Sequence, residues 1–150
     1  MSESTASPLA RRGRGFEPQG PDGYHVGWYP VCLASEIDGG RIMATEFLNG
    51  RVVAFRGPDG SAAVLSAYCR HLGADLGIGE LVDGCIRCAF HHWRYSADGT
   101  CVSIPVEGDP PADAKLYAFP AAETMGLIWA YNGDQPTELP HFHGFDAADL

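Results

Sequence analysis

From Val26 onward the apolar residues fall in short runs separated by Gly-containing turns, and helical periodicity is scarce. Arg41 to Leu48 and Arg51 to Phe55 flank Asn49-Gly50, a dipeptide that predicts a two-residue hairpin because both central residues of a type I′ turn need positive φ. Asp59-Gly60 separates Phe55 from Ala63-Val64-Leu65. Asp83-Gly84 joins Glu80-Leu81-Val82 to Cys85-Ile86-Arg87-Cys88, and Asp98-Gly99 follows Trp93-Arg94-Tyr95. Beyond Pro110-Pro111, Leu116 to Ala121 and Leu127 to Tyr131 read as two more strands, ending at Asn132-Gly133. Turns at this spacing predict an all-β sandwich or barrel.

Length and composition narrow the picture. A chain of 150 residues has room for one domain with an adequate core and no need of disulfides. Residues 1–23 are polar and rich in Gly and Pro, and no apolar stretch follows Arg11-Arg12, so they read as a disordered leader rather than an export signal. Residues 24–133 are expected to form the domain, and 134–150 a Pro- and His-rich tail or linker. Nothing approaches the run of about eighteen apolar residues that a membrane-spanning helix needs. The net charge of -9 disfavours nucleic acid and anionic membrane and suits a protein meeting a basic partner face. Five cysteines is an odd count that implies no disulfide framework, which favours a reducing, cytoplasmic setting.

The chemistry concentrates in one stretch. Cys69-Arg70-His71 is followed, after sixteen residues, by Cys88-Ala89-Phe90-His91. Two thiolates and two imidazoles say metal. Zinc sites usually keep the cysteines together and the histidines together, whereas here each knuckle carries one of each. That mixture suits two irons bridged by sulfide, with Cys69 and Cys88 on one iron and His71 and His91 on the other.

The run Cys69-Arg70-His71-Leu72-Gly73, followed by Cys88-Ala89-Phe90-His91-His92-Trp93 and Gly99, resembles the Rieske domain of ring-hydroxylating and related Rieske oxygenases. Its continuation through Ala74-Asp75-Leu76, with Phe90 just before the second His, is most similar to the steroid- and sterol-acting branch. Gly27 to Val31, Leu116 to Pro120 and Gly126 to Ala130 also resemble that domain, so the likeness covers about residues 24 to 140. It implies an antiparallel β-sandwich with a small two-loop cluster-binding subdomain at about 66–104. It further implies a Rieske-type 2Fe-2S cluster, a reductase or ferredoxin as donor, and a mononuclear iron on an oxygenase catalytic subunit as acceptor. High-potential Rieske proteins add an inter-loop disulfide and a Ser donor to cluster sulfur, where this chain has Ala74, Phe90 and Trp93. Tyr95 falls where such proteins have a Tyr donor. The balance implies a potential at the low end of the Rieske range, about -150 mV.

Other residues have plainer readings. Gly73, Gly77 and Gly79 are expected to let backbone N–H groups approach sulfur closely. Trp93 is expected either to fill the core or to cover the cluster, and the two readings are compatible. Cys85, three residues from Cys88 along a strand, should face away from the cluster and serve, like Cys32 and Cys101, as a packing residue. His92 takes a surface position beside His91. His141, His143 and Asp146 contain the ingredients of a mononuclear iron site, but a Pro-flanked tail offers no scaffold for them and a solvated linker is expected. The function expected is single-electron transfer to a mononuclear iron on another polypeptide, an oxidoreductase component rather than a complete oxygenase. A free-standing Rieske ferredoxin is the alternative, and a non-redox zinc module a third.

Overall fold

The computed structural model describes residues 24–139. The expected leader, and His141, His143 and Asp146, lie outside the described residues. Among the described residues eleven strands form three antiparallel sheets. The first contains β1 (Trp28–Leu33), β11 (Leu127–Tyr131) and β10 (Ala121–Thr124), in that order. The second runs β2 (Met43–Phe47), β3 (Gly50–Arg56), β4 (Ala62–Ser66), β9 (Ala118–Phe119). The third runs β5 (Glu80–Val82), β6 (Cys85–Arg87), β7 (Arg94–Tyr95), β8 (Cys101–Ser103).

The second sheet is the middle layer, and its sequence says why. Side chains alternate faces along a strand, so a strand buried on both sides reads as a continuous apolar run. Val52 and Ala54 of β3 and Val64 of β4 pack with Ile37, Phe47, Phe119, Ile128 and Ala130, against the first sheet. Val53 and Phe55 of β3 and Ala63 and Leu65 of β4 turn the other way and pack with Leu76, Ile86, Tyr95 and Leu116. The third sheet therefore hangs as an insertion between β4 and β9, and those two strands are themselves paired through Leu65 and Ala118. Two hydrogen bonds close its base, from Ser66 N–H to the Tyr117 carbonyl and from Ala67 N–H to that of Arg51. On the outer side Arg56 clamps the first two sheets, with Nε on Asp38 at 2.9 Å and its fork on the Glu123 carboxylate at 2.7 and 3.1 Å.

The all-β reading holds, with two corrections of detail. Asn49-Gly50 marks a real type I′ hairpin, but its two central residues are Leu48 and Asn49, with φ of 47° and 66°, and Phe47 pairs with Gly50. The core sets that register. Phe47, Val52 and Ala54 share one buried cluster, and slipping by one residue would turn them out of it. The run Leu116 to Ala121, read as one strand, is divided at Pro120: Ala118–Phe119 joins the middle sheet and Ala121–Thr124 the first. Proline cannot continue a ladder, and here it marks where the chain changes sheet. Its carbonyl still accepts from Tyr131 N–H at 2.8 Å.

Candidate metal centre

Both Cys/His knuckles fold by the same local hydrogen-bond pattern. Cys69 N–H donates to the Ala74 carbonyl at 2.9 Å and its carbonyl accepts from Gly73 N–H at 2.8 Å. One loop later Cys88 N–H donates to the Trp93 carbonyl at 2.8 Å and its carbonyl accepts from His92 N–H at 3.0 Å. Closing each loop needs a left-handed residue four positions after the cysteine. Gly73 supplies it with φ of 79° at no steric cost, and His92 with φ of 62° under strain. Replacing His92 by Gly should therefore stabilise the fold by about 0.5 kcal/mol, and His92→Val should cost about 1 kcal/mol or more. Denaturation midpoints of the two variants check this, and a loss of stability in His92→Gly would refute it.

The four expected ligands form two pairs. Cys69 and Cys88 are buried, packed among Leu76, Ile86, Tyr95 and Cys101, while the His71 and His91 rings lie toward the surface with centroids 4.8 Å apart. His91 is exposed, and Phe90 and Leu72 beside the histidines are each 63% exposed. His71 is half-buried, with the Trp93 ring stacked on it at 4.5 Å and 9°, and its Nδ1 is a buried polar atom with no hydrogen-bond partner. A buried imidazole nitrogen needs an acceptor, a donor or a metal. No three Cys, His, Asp or Glu side chains converge on a single ion position among the described residues. Tetrahedral zinc asks for such convergence, whereas a cluster with two protein ligands on each of two irons asks for two pairs.

Electrostatics around the thiols follow from burial. Desolvation pushes the Cys69 thiol above its ordinary value, hydrogen bonds from the Tyr95 hydroxyl and His71 backbone N–H pull it down, and the adjoining Cys88 pushes it up again. Tyr95 Oη lies 3.2 Å from Cys69 Sγ and accepts from Arg70 N–H at 2.9 Å. Either atom can donate in this contact; with Cys69 holding a metal as thiolate it would have no proton to give, and the tyrosine would be the donor to sulfur. Burial, then contact with Cys69, raises the phenol well above its usual range, so it keeps the proton.

The backbone N–H that reaches Cys69 sulfur belongs to His71. The N–H groups of the three loop glycines are spent elsewhere: Gly73 on the Cys69 carbonyl, Gly77 on Asp75 Oδ1 at 2.7 Å, and Gly79 on the Leu76 carbonyl. Gly79 is needed for close packing, since a Cβ there would stand 2.2 Å from the Arg87 carbonyl oxygen. The cysteine readings agree with the structure. Cys32 and Cys101 are buried packing residues, burial pushing the Cys32 thiol up to about 11, and Cys85 pairs with Val82 outside the core row of its sheet. Sequence reasoning missed the Arg70 amide that orients Tyr95; backbone donors leave no trace in residue type. It also missed the salt bridge of Arg51 to Asp75 at 2.9 Å, which ties the first loop to β3.

Residues 27–120 match the family model for the Rieske [2Fe-2S] domain. The chain belongs to that family. Its Rieske domain is 38% identical over 119 residues to cholesterol 7-desaturase nvd of Bombyx mori, covering 79% of this chain and 26% of that protein. It is 33% identical over 120 residues to the oxygenase component of a probable 3-ketosteroid-9-alpha-monooxygenase of Rhodococcus rhodochrous, covering 80% and 30%. Dicamba monooxygenase with bound dicamba is similar in structure, with a TM-score of 0.71 and 31% identity over 77% of this chain and 36% of that one. The chain thus spans about a quarter to a third of these proteins, and the shared part is their Rieske domain. The family's cofactor is a 2Fe-2S cluster, which the paired donors and the orphaned His71 Nδ1 fit. No helix among the described residues is long and apolar enough to cross a membrane.

Proposed function

We propose that this Rieske domain is the electron-transfer part of an oxygenase system, receiving single electrons from a reductase or ferredoxin and delivering them to a mononuclear iron on a catalytic polypeptide. The observation that carries it is the pairing of two buried thiols with two surface imidazoles. Cys69 and Cys88 would hold the inner iron, and His71 and His91 the outer one. When bound, a 2Fe-2S cluster of this type supplies reversible storage of one electron. The chain's own residues do the rest. Tyr95 donates to Cys69 Sγ and steadies its negative charge, the apolar packing of Leu76 and Ile86 keeps water from the thiolates, and Trp93 holds the His71 ring flat. Exposed His91 offers a contact through which an acceptor meets the centre. We further propose that the domain works in the cytoplasm, that its boundaries are 24–133, and that the 66–104 segment is its cluster-binding part.

Iron and acid-labile sulfide analysis with electron paramagnetic resonance of the reduced protein tests the reading. Two irons and two sulfides per chain, and a rhombic signal on reduction, are expected. Zinc in their place would overturn it in favour of the non-redox module. In single-turnover assays the reduced chain alone should return electrons without oxygenating any steroid; oxygenation would reveal a second iron site.

A further inference from the structure

The cluster-bearing sheet has a second face, and register defines it. Leu81, Ile86, Tyr95 and Cys101 stand opposite one another across β5, β6, β7 and β8 and form the row that packs into the core. The next row is Glu80, Arg87, Arg94 and Ser103, again in direct register. Successive residues point to opposite faces, so this row lies on the outer side. Arg87 is ion-paired with Glu80, whereas the Arg94 guanidinium makes no hydrogen bond or ion pair among the described residues. The side chains of Arg41, Arg51, Arg56 and Arg87 all have partners, and Arg70 is the other described arginine whose side chain has none. In a chain of net charge -9 this row carries two guanidiniums against one carboxylate. Asp75, Asp83, Asp98 and Glu107 are the other acids within five residues of it in sequence.

Directly behind the row lies the centre. Arg94 is bonded to Tyr95, whose hydroxyl crosses the core side of the sheet to Cys69 Sγ at 3.2 Å. A molecule seated on the outer row is therefore connected to the thiolate side of the site through one strand and one hydrogen bond. On the imidazole side His91 is exposed, and Trp93, the residue before Arg94, stacks on His71.

We infer that the Arg87–Arg94 face is the docking surface for an acidic one-electron donor protein, and that electrons enter on the cysteine side through Tyr95 while the histidine tip remains free for the acceptor. The inference rests on the reading that the domain carries a 2Fe-2S cluster. In the step one electron passes from the donor, which is oxidised, to the oxidised centre, which is reduced; no bond or proton changes hands. Charge complementarity selects the occupant locally: the net charge of -9 suits a basic partner over most of the surface, whereas this row, with a guanidinium that has no side-chain partner, attracts and orients a carboxylate-rich patch at short range.

The probe is an acidic plant-type ferredoxin, whose potential of about -400 mV lies below the Rieske range. Titration of the oxidised ferredoxin into the oxidised, cluster-loaded chain at low ionic strength gives a Kd. Arg94→Glu should raise that Kd about tenfold, the difference closing to less than about twofold near 0.5 M salt, and Arg94→Lys should stay within about threefold of wild type. Ile78→Glu, on an exposed turn of the cluster loop, should leave the Kd unchanged. In stopped flow, Arg94→Glu should slow reduction by ferredoxin but not by a neutral photoreduced deazaflavin. Absence of binding by the wild type at low salt, an unaltered Kd in Arg94→Glu, or a larger effect of Ile78→Glu than of Arg94→Glu would each overturn the proposal. Iron content and the reduced-state signal, read on the same samples, separate this failure from absence of the cluster.

Discussion

His71→Ala is expected to yield a colourless protein that retains neither iron nor sulfide. The expectation follows from how few protein bonds hold each metal in the proposed arrangement. Two side chains serve each iron, so removing one imidazole halves the protein's hold on the outer metal and leaves a position that no neighbour fills. Among the described residues no further Cys, His, Asp or Glu joins a third donor to either pair. Trp93, stacked on His71, has no lone pair to offer, and His92 is exposed with its backbone in the left-handed region. Iron and sulfide content per chain, the visible spectrum and the reduced-state paramagnetic signal are the measurements. An unchanged signal would remove His71 from the ligand set. Trp93→Phe is the control, since it alters the same neighbourhood while keeping all four donors, and it should hold its cluster.

Tyr95→Phe should keep the cluster and lower its midpoint potential by about 40 mV. Reduction adds negative charge to a centre whose thiolates are already buried, so a donor aimed at Cys69 Sγ stabilises the reduced state more than the oxidised one. A hydrogen bond to a charged group is worth about 1.5–3 kcal/mol, of which the difference between redox states is about 1 kcal/mol. For one electron, tenfold in equilibrium corresponds to about 59 mV, which converts that difference to about 40 mV. The wild-type value, with neither inter-loop disulfide nor Ser donor, should lie near the low end of the Rieske range, about -150 mV. Film voltammetry of both proteins decides the point. A variant potential equal to or above that of wild type would show that the hydroxyl does not donate to sulfur, and a wild-type value well above zero would refute the low-potential assignment.

Much of this was legible because residue type and local geometry are tightly linked in turns and knuckles. Asp83-Gly84 gives a two-residue hairpin with both φ positive, as its composition demands. The spacing of the two Cys/His knuckles points to buried cysteines beside two neighbouring imidazoles, which is the arrangement found, and the fate of Cys85 follows from strand alternation. Legibility failed where a distant part of the fold decides. Leu48 occupies a left-handed turn position that its own propensity opposes, because the buried register of Phe47 and Val52 outweighs the turn preference of Asn49-Gly50. Gly79 is fixed by a carbonyl eight residues away on the neighbouring strand, not by sulfur. The outer row of the third sheet needs three successive pairings to be known before Arg87 and Arg94 become neighbours.

The base on which the third sheet is mounted has a consequence for ancestry and engineering. Its entry strand β4 and exit strand β9 already adjoin, so the excursion from 67 to 117 leaves and returns at a single doorway. A segment with coincident ends behaves like a bud on a stem: it can lengthen, shorten or be exchanged without asking the stem to change its path. The part between these ends, proposed to bear the cluster, is thus a natural unit of transplantation, and a stem capped by a short turn in its place is a scaffold onto which a different redox head could be grafted.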